Sequence, residues 1–75
     1  MERQFEYVTI IHLAEEGGYW SGVPALPGGG SQGESVEETI ANTRESSSAV
    51  LAVMKERGQA IAEPADIVVK VQVPA

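Results

Sequence analysis

The chain has 75 residues, of which 43% are hydrophobic and 21% charged, and its mean hydropathy is −0.08. This length holds one small domain, so we expect a single domain over residues 1–75 and exclude a second, catalytic one. Eleven acidic against five basic residues give a formal charge of −6, which disfavours direct binding to nucleic acid.

Cysteine is absent, which excludes disulfides, thiolate nucleophiles and cysteine-ligated zinc. No stretch approaches the roughly 20 apolar residues of a membrane span, and the first residues lack the pattern of a signal peptide. We therefore expect a cytoplasmic protein that binds no membrane. A domain this small retains little net stability, which favours assembly into a homodimer or larger homo-oligomer.

The first predicted element is a strand over residues 5–13, which are rich in β-branched and aromatic side chains. One face of this strand carries Val8 and Ile10 between polar ends, and we expect a subunit contact to cover it. The glycines of residues 14–18 predict a tight reversal, and residues 19–23 predict the returning strand of a hairpin.

Residues 24–33 contain two prolines and four glycines, a composition that predicts a loop. A short third strand near residues 29–32 fits the same sequence, because an edge strand tolerates glycine where another group comes close. No lysine of the phosphate-binding type accompanies residues 28–30, so we interpret these three glycines as a tight backbone passage.

A helix is predicted over about residues 35–57, where the period of the pattern becomes helical. Ser35 and Glu38 match a capping box, and Gly58 is the expected terminator. The small residues 46–48 favour close packing of another surface. The predicted packing face is semi-apolar and consists of Val36, Ile40, Thr43, Ser47, Val50, Leu51 and Met54.

A last strand, half-buried, is predicted where Ile67, Val69, Val71 and Val73 alternate with other residues. The element order β-β-β-α-β predicts an α+β fold of two layers. We expect a mixed sheet of strand order 3-2-1-4, with the last strand beside the first and one helix on one face.

Four motifs follow one another in the middle of the chain: GYW at 18–20, VPALPG at 23–28, SQGESVEE at 31–38 and AN at 41–42. At this spacing they resemble the HicB antitoxin family over about residues 7–54. The resemblance implies a partial RNase H-like fold, also described as similar to a double-stranded-RNA-binding domain. It further implies a non-catalytic protein that binds and neutralises a small, basic, messenger-RNA-cleaving toxin of the HicA type. We expect no DNA-binding domain in this chain, so operator binding is not carried over.

Catalysis is the competing interpretation, because an RNase H-like fold can support metal-dependent hydrolysis by several converging carboxylates. Asp66 is the only aspartate, and turn solvation and helix capping explain most glutamates. We therefore expect no catalytic, cofactor or metal site, and we interpret the sole histidine, His12, as a surface or packing residue. A metal-dependent nuclease and an accessory regulatory binding module are the alternative functions.

Trp20 and Leu26 join Val8 and Ile10 as candidate partner or oligomer contacts. Tryptophan buries a large area and often anchors interfaces, although core packing also explains it. If Tyr19 faces the helix, alternation places Trp20 on the opposite face of the sheet. Leu26 lies between two prolines that lower the cost of presenting it to a partner, and anchoring of the loop to the core is an equal alternative.

Overall fold

The computed structural model describes residues 5–61, 67 and 69–74. These residues form strands β1 (Ile10–Leu13), β2 (Tyr19–Gly22) and β3 (Gln32–Gly33) and helix α1 (Val36–Glu56). The strands make an antiparallel sheet of order β1-β2-β3, and α1 packs against β2 and β3. The α+β class is thus confirmed, with three strands and one helix in the described residues.

The β1–β2 hairpin forms as predicted. The Ala14 amide donates to the Gly18 carbonyl at 3.0 Å, and Gly18 adopts a φ of 76°, which glycine reaches without strain. Strand β1 is shorter than predicted, since residues 5–9 do not form a strand. Continuing the register beyond Ile10, which lies opposite Gly22, would bring this segment against Pro24, which has no amide to donate.

Both ends of α1 are confirmed to within one residue. The Ser35 hydroxyl accepts a hydrogen bond from the Glu38 amide at 3.1 Å, and the Glu38 carboxylate accepts one from the Glu34 amide at 3.4 Å. At the other end, the Gly58 amide donates to the Lys55 carbonyl at 3.2 Å. Gly58 has a φ of 70°, so the helix ends in the left-handed conformation that the glycine predicted.

The packing face of α1 agrees only in part with the prediction. Thr43 is buried as predicted, and four further members of the predicted face are half-buried: Ser47, Val50, Leu51 and Met54. Val36 and Ile40 are each 42% exposed, however, and the buried residue beside them is Thr39, which the prediction did not include. Close approach explains the difference, because a Cβ atom on Gly33 would lie only 2.7 Å from the Thr39 amide nitrogen. A helix this near to the sheet backbone leaves room at Gly33 for the short side chain of Thr39, and the larger side chains of Val36 and Ile40 are exposed.

The apolar core of the described residues is small and consists of Val23 and Leu26. Leu26 is 1% exposed, so it anchors the proline-containing loop to the body of the domain. Its prediction as a contact residue for a partner is therefore replaced by the alternative of loop-to-core anchoring. The buried polar residues outnumber the buried apolar ones, and they are Ser21, Thr39 and Thr43.

The predicted last strand is not formed by the residues that are described in that region. Residues 67 and 69–74 belong to no strand. The four residues expected on a half-buried face are 71–90% exposed, and they are Ile67, Val69, Val71 and Val73. The sheet of the described residues therefore corresponds to the 3-2-1 part of the predicted order. Asp66 lies outside the described residues.

Candidate functional site

The candidate site is the sheet face that points away from α1. Trp20 lies opposite His12 across the β1–β2 hairpin, and their rings stack with centroids 4.0 Å apart and planes inclined by 17°. Ser21, the next residue after Trp20, contacts the helix, so alternation turns Trp20 to the opposite face. Trp20 is 47% exposed and Ile10, two residues before His12, is 46% exposed. We call Ile10, His12 and Trp20 the aromatic face.

The structure brings together only part of the predicted contact set. Ile10 and Trp20 belong to the aromatic face, whereas Val8 is half-buried and precedes β1. Leu26 is in the core. His12 is the member that the sequence interpretation did not assign to the contact set. Two features of the sequence identify His12 as part of this face. It lies two residues after Ile10 on the same strand, and the short hairpin places it opposite Trp20.

An open pocket of about 360 Å³ borders the aromatic face. Ile10 and His12 form one side of it, and the loop containing Pro24 and Pro27 forms the other. Both prolines are exposed. The face and the pocket together make a continuous surface with aromatic, aliphatic and proline side chains, which suits contact with another macromolecule.

A hydroxyl network fixes β2, the strand that carries Trp20, to the helix. The hydroxyls of Ser21 and Thr43 lie 2.6 Å apart in a buried contact, and the Thr43 hydroxyl also donates to the Thr39 carbonyl at 2.6 Å. The Ser31 amide donates to the Ser21 hydroxyl at 2.9 Å. Each of these groups is buried or half-buried, so the bonds hold β2 in one position relative to α1.

The glycine-containing loop is held by the serines of α1. Ser46 donates to the Gly30 carbonyl and Ser47 to the Gly29 carbonyl, both at 3.0 Å. A Cβ atom on Gly30 would overlap the Ser21 carbonyl, so the loop runs directly against β2. The tight backbone passage predicted for residues 28–30 is confirmed, and it places one wall of the pocket beside the aromatic face.

Within the described residues, no group of three or more histidine, cysteine, aspartate or glutamate side chains is placed to hold a metal ion. In the same part of the chain, no helix combines the length and the apolarity needed to cross a membrane.

Comparisons with known proteins cover most of the chain. Residues 7–75 match a family model described as the HicB_like antitoxin of bacterial toxin-antitoxin system. The UPF0150 protein ssl0738 of Synechocystis sp. (strain ATCC 27184 / PCC 6803 / Kazusa) is 36% identical over 52 residues. That alignment covers 69% of this chain and 68% of the relative. The segment matched by the family model includes all three residues of the aromatic face.

Proposed function

The chain belongs to the HicB-like antitoxin family, and we propose on this basis that it neutralises a small, basic toxin of the HicA type that cleaves messenger RNA. The proposed mechanism is masking: the chain binds the toxin surface and performs no catalysis of its own. Membership of a toxin-antitoxin family supports a toxin as partner and a non-enzymatic role. Because the target of such a toxin is messenger RNA, the proposed place of action is the cytoplasm.

The aromatic face is the proposed toxin-binding surface. Trp20 is the only tryptophan of the chain, and it is 47% exposed, whereas few apolar side chains are buried among the residues that the structure describes. Tryptophan is among the residues that contribute most to binding energy at interfaces. Stacking against His12 restricts the ring, so that less conformational entropy is lost when a partner covers it. This exposed, pre-positioned ring is the observation that carries the proposal.

The charge of the chain suits a basic partner. A formal charge of −6 attracts a cationic protein and raises its association rate, whereas it repels nucleic acid. Glu15 and Glu16 are exposed in the turn at the end of the β1–β2 hairpin, close in sequence to the aromatic face. We therefore propose protein binding without direct contact between this chain and RNA.

The remaining elements of the proposal concern the fold and assembly. We propose that residues 67–73 complete the sheet beside β1, giving the strand order 3-2-1-4 of a partial RNase H-like fold. Strand β1 is the edge of the sheet in the described residues, and the apolar side chains of residues 67–73 that are described are exposed.

We also propose that the protein forms a homodimer or larger homo-oligomer, which would cover apolar surface that one copy leaves exposed.

The test uses the product of a small basic reading frame adjacent to the gene, in a catalytically inactive form. Titration calorimetry with the wild-type chain should show tight binding. Trp20→Ala should weaken binding at least tenfold, because it removes the proposed anchor. Val53→Ala is the matched control, since Val53 is 43% exposed but lies on α1. Equal affinities of Trp20→Ala and the wild type would exclude the aromatic face as the binding surface.

A second assay separates masking from catalysis. The purified chain alone is incubated with labelled RNA and either Mg²⁺ or Mn²⁺. Masking predicts no cleavage by the chain and inhibition of cleavage by the active toxin. Cleavage that depends on the metal ion and is lost when glutamates are replaced by glutamine would instead establish the nuclease alternative.

A further inference from the structure

The C-terminal arm is the name we give to residues 67–74, and its described apolar side chains are exposed to solvent although they form a regular pattern. Ile67 is 90% exposed, Val69 71%, Val71 75% and Val73 78%. These four residues have the period of two that is typical of a strand with one buried face. The described core contains only two buried hydrophobic residues, so the arm carries much of the apolar surface that the domain has available for burial.

A groove beside β1 has apolar walls that could bury the apolar side chains of the arm. It is an open cavity of about 870 Å³ between α1 and the segment that leads into β1. Thr9 and Ile11 line one side, and Ile40 and Leu51 of α1 line the other. Strand β1 is an edge of the sheet in the described residues, so its outer side is suited to pairing with a further strand.

We propose that two copies of the chain exchange their C-terminal arms. The arm of one copy adds as a strand beside β1 of the other copy, and its odd-numbered apolar side chains enter the groove between β1 and α1. This inference rests on the sheet completion proposed above and adds that the fourth strand comes from a second copy. It does not depend on toxin binding.

The dimensions of a single chain favour a second copy as the occupant. The radius of gyration is 14.2 Å and the principal extents are 46 × 28 × 21 Å. A compact chain of this length has a radius of gyration of about 11 Å. The arm therefore projects from its own domain, while the groove of that domain stays open. Each chain has both an exposed apolar arm and an open edge strand. Two copies can therefore exchange their arms symmetrically, each arm pairing with β1 of the other copy.

The length of the connection permits the exchange. Ten residues, 57–66, separate the last residue of α1 from Ile67. Ten residues span at most about 35 Å when fully extended. This reach is enough for the arm to cross to a neighbouring copy that lies against the groove.

The first experiment measures the mass of the full chain in solution. We expect a dimer for the wild type and at least a tenfold weaker dimer for the triple variant Val69→Ser, Val71→Ser, Val73→Ser. The matched control is Lys70→Ser with Gln72→Ser, which changes the opposite face of the arm and should leave the dimer intact. A wild-type monomer at all concentrations would overturn the proposal, and so would a dimer that the triple variant does not weaken.

The second experiment distinguishes exchange from folding back within one chain. The chain has no cysteine, so Thr9→Cys is placed in one tagged copy and a cysteine at residue 69, 71 or 73 in a copy with a different tag. Exchange predicts a disulfide between the two tags for at least one arm position. The proposal is wrong if no position forms that link, or if a chain carrying both cysteines forms only an intrachain disulfide.

Both experiments are performed without a toxin. Arm exchange can therefore fail while Trp20→Ala still weakens toxin binding, and toxin binding can fail while the interchain disulfide still forms. The two proposals are tested independently.

Discussion

The hydroxyl oxygens of Ser21 and Thr43 lie 2.6 Å apart and join strand β2 directly to helix α1. The Thr43 hydroxyl also donates to the Thr39 carbonyl at 2.6 Å, and the Ser21 hydroxyl lies within hydrogen-bond distance, 3.3 Å, of the Ser31 carbonyl. The Ser31 amide donates in turn to Ser21. A continuous series of hydrogen bonds thus runs from the loop, through the sheet, to the helix backbone.

Removal of one hydroxyl group from this series of hydrogen bonds should destabilise the folded protein. We expect Ser21→Ala to lower the free energy of unfolding by about 2 kcal/mol, because it leaves buried hydrogen-bonding groups without their partner. Combining it with Thr43→Val should cost less than the sum of the two single changes, since both remove the same bond. Urea denaturation followed by circular dichroism measures these differences. Additive effects would show that the two hydroxyls act independently.

The glycine at position 30 should be sensitive to a single added methyl group. We expect Gly30→Ala to lower the free energy of unfolding by about 3 kcal/mol, because the methyl group would overlap the Ser21 carbonyl in the sheet backbone. Gly22→Ala is the matched control, since a Cβ atom there meets nothing within 4 Å. The melting temperatures of both variants provide the comparison. Equal melting temperatures would contradict the close passage.

The helix cap gives a prediction for α1. We expect Ser35→Ala to lower the free energy of unfolding by about 1 kcal/mol, because the Glu38 amide loses its hydrogen-bond acceptor. Ser48→Ala, at an exposed position inside the same helix, should instead be neutral or slightly stabilising. Chemical denaturation of the two variants tests this difference in sign. The prediction would be contradicted if Ser35→Ala left the free energy of unfolding unchanged.

The stacked pair of the aromatic face should couple energetically. In a double-mutant cycle with His12→Ala and Trp20→Ala, we expect an interaction energy of about 1 kcal/mol, in the range found for stacked aromatic pairs. Unfolding is followed by far-ultraviolet circular dichroism, because Trp20 is the only tryptophan. A coupling energy near zero would mean that the stacking does not restrict the tryptophan ring.

Features that depend on neighbouring residues in the sequence were predictable. The β1–β2 hairpin follows from the glycines of its turn, and both ends of α1 follow from Ser35 and Gly58. Alternation along β2 was also sufficient to predict the face of Trp20 once the direction of its neighbours is known. These signals are local, so the sequence carries them without reference to the rest of the fold.

Features that depend on the distance between layers were not predictable. The helical pattern placed Thr43 correctly on the packing face, but it also placed Val36 and Ile40 there, whereas the short separation between α1 and Gly33 selects Thr39. The start of β1 at Ile10 depends on Pro24, which is distant in sequence and comes opposite this segment only through the register of the hairpin.

The role of Leu26 could not be decided from its proline-rich surroundings, which suit presentation to a partner and anchoring equally. Burial in three dimensions decides for anchoring. The last strand illustrates the same limit, because its alternating pattern indicates a buried face but not the surface that buries it.

The hydroxyl-rich contact between α1 and the sheet also affects how stability varies with temperature. The heat capacity of unfolding increases with the apolar surface exposed and decreases with the polar surface exposed. The buried hydrophobic residues of the described domain are Val23 and Leu26. We therefore expect its heat capacity of unfolding to be smaller than the roughly 1 kcal/mol/K of an ordinary chain of this length. Its stability curve should therefore be shallow, with little loss on cooling and a broad melting transition on heating.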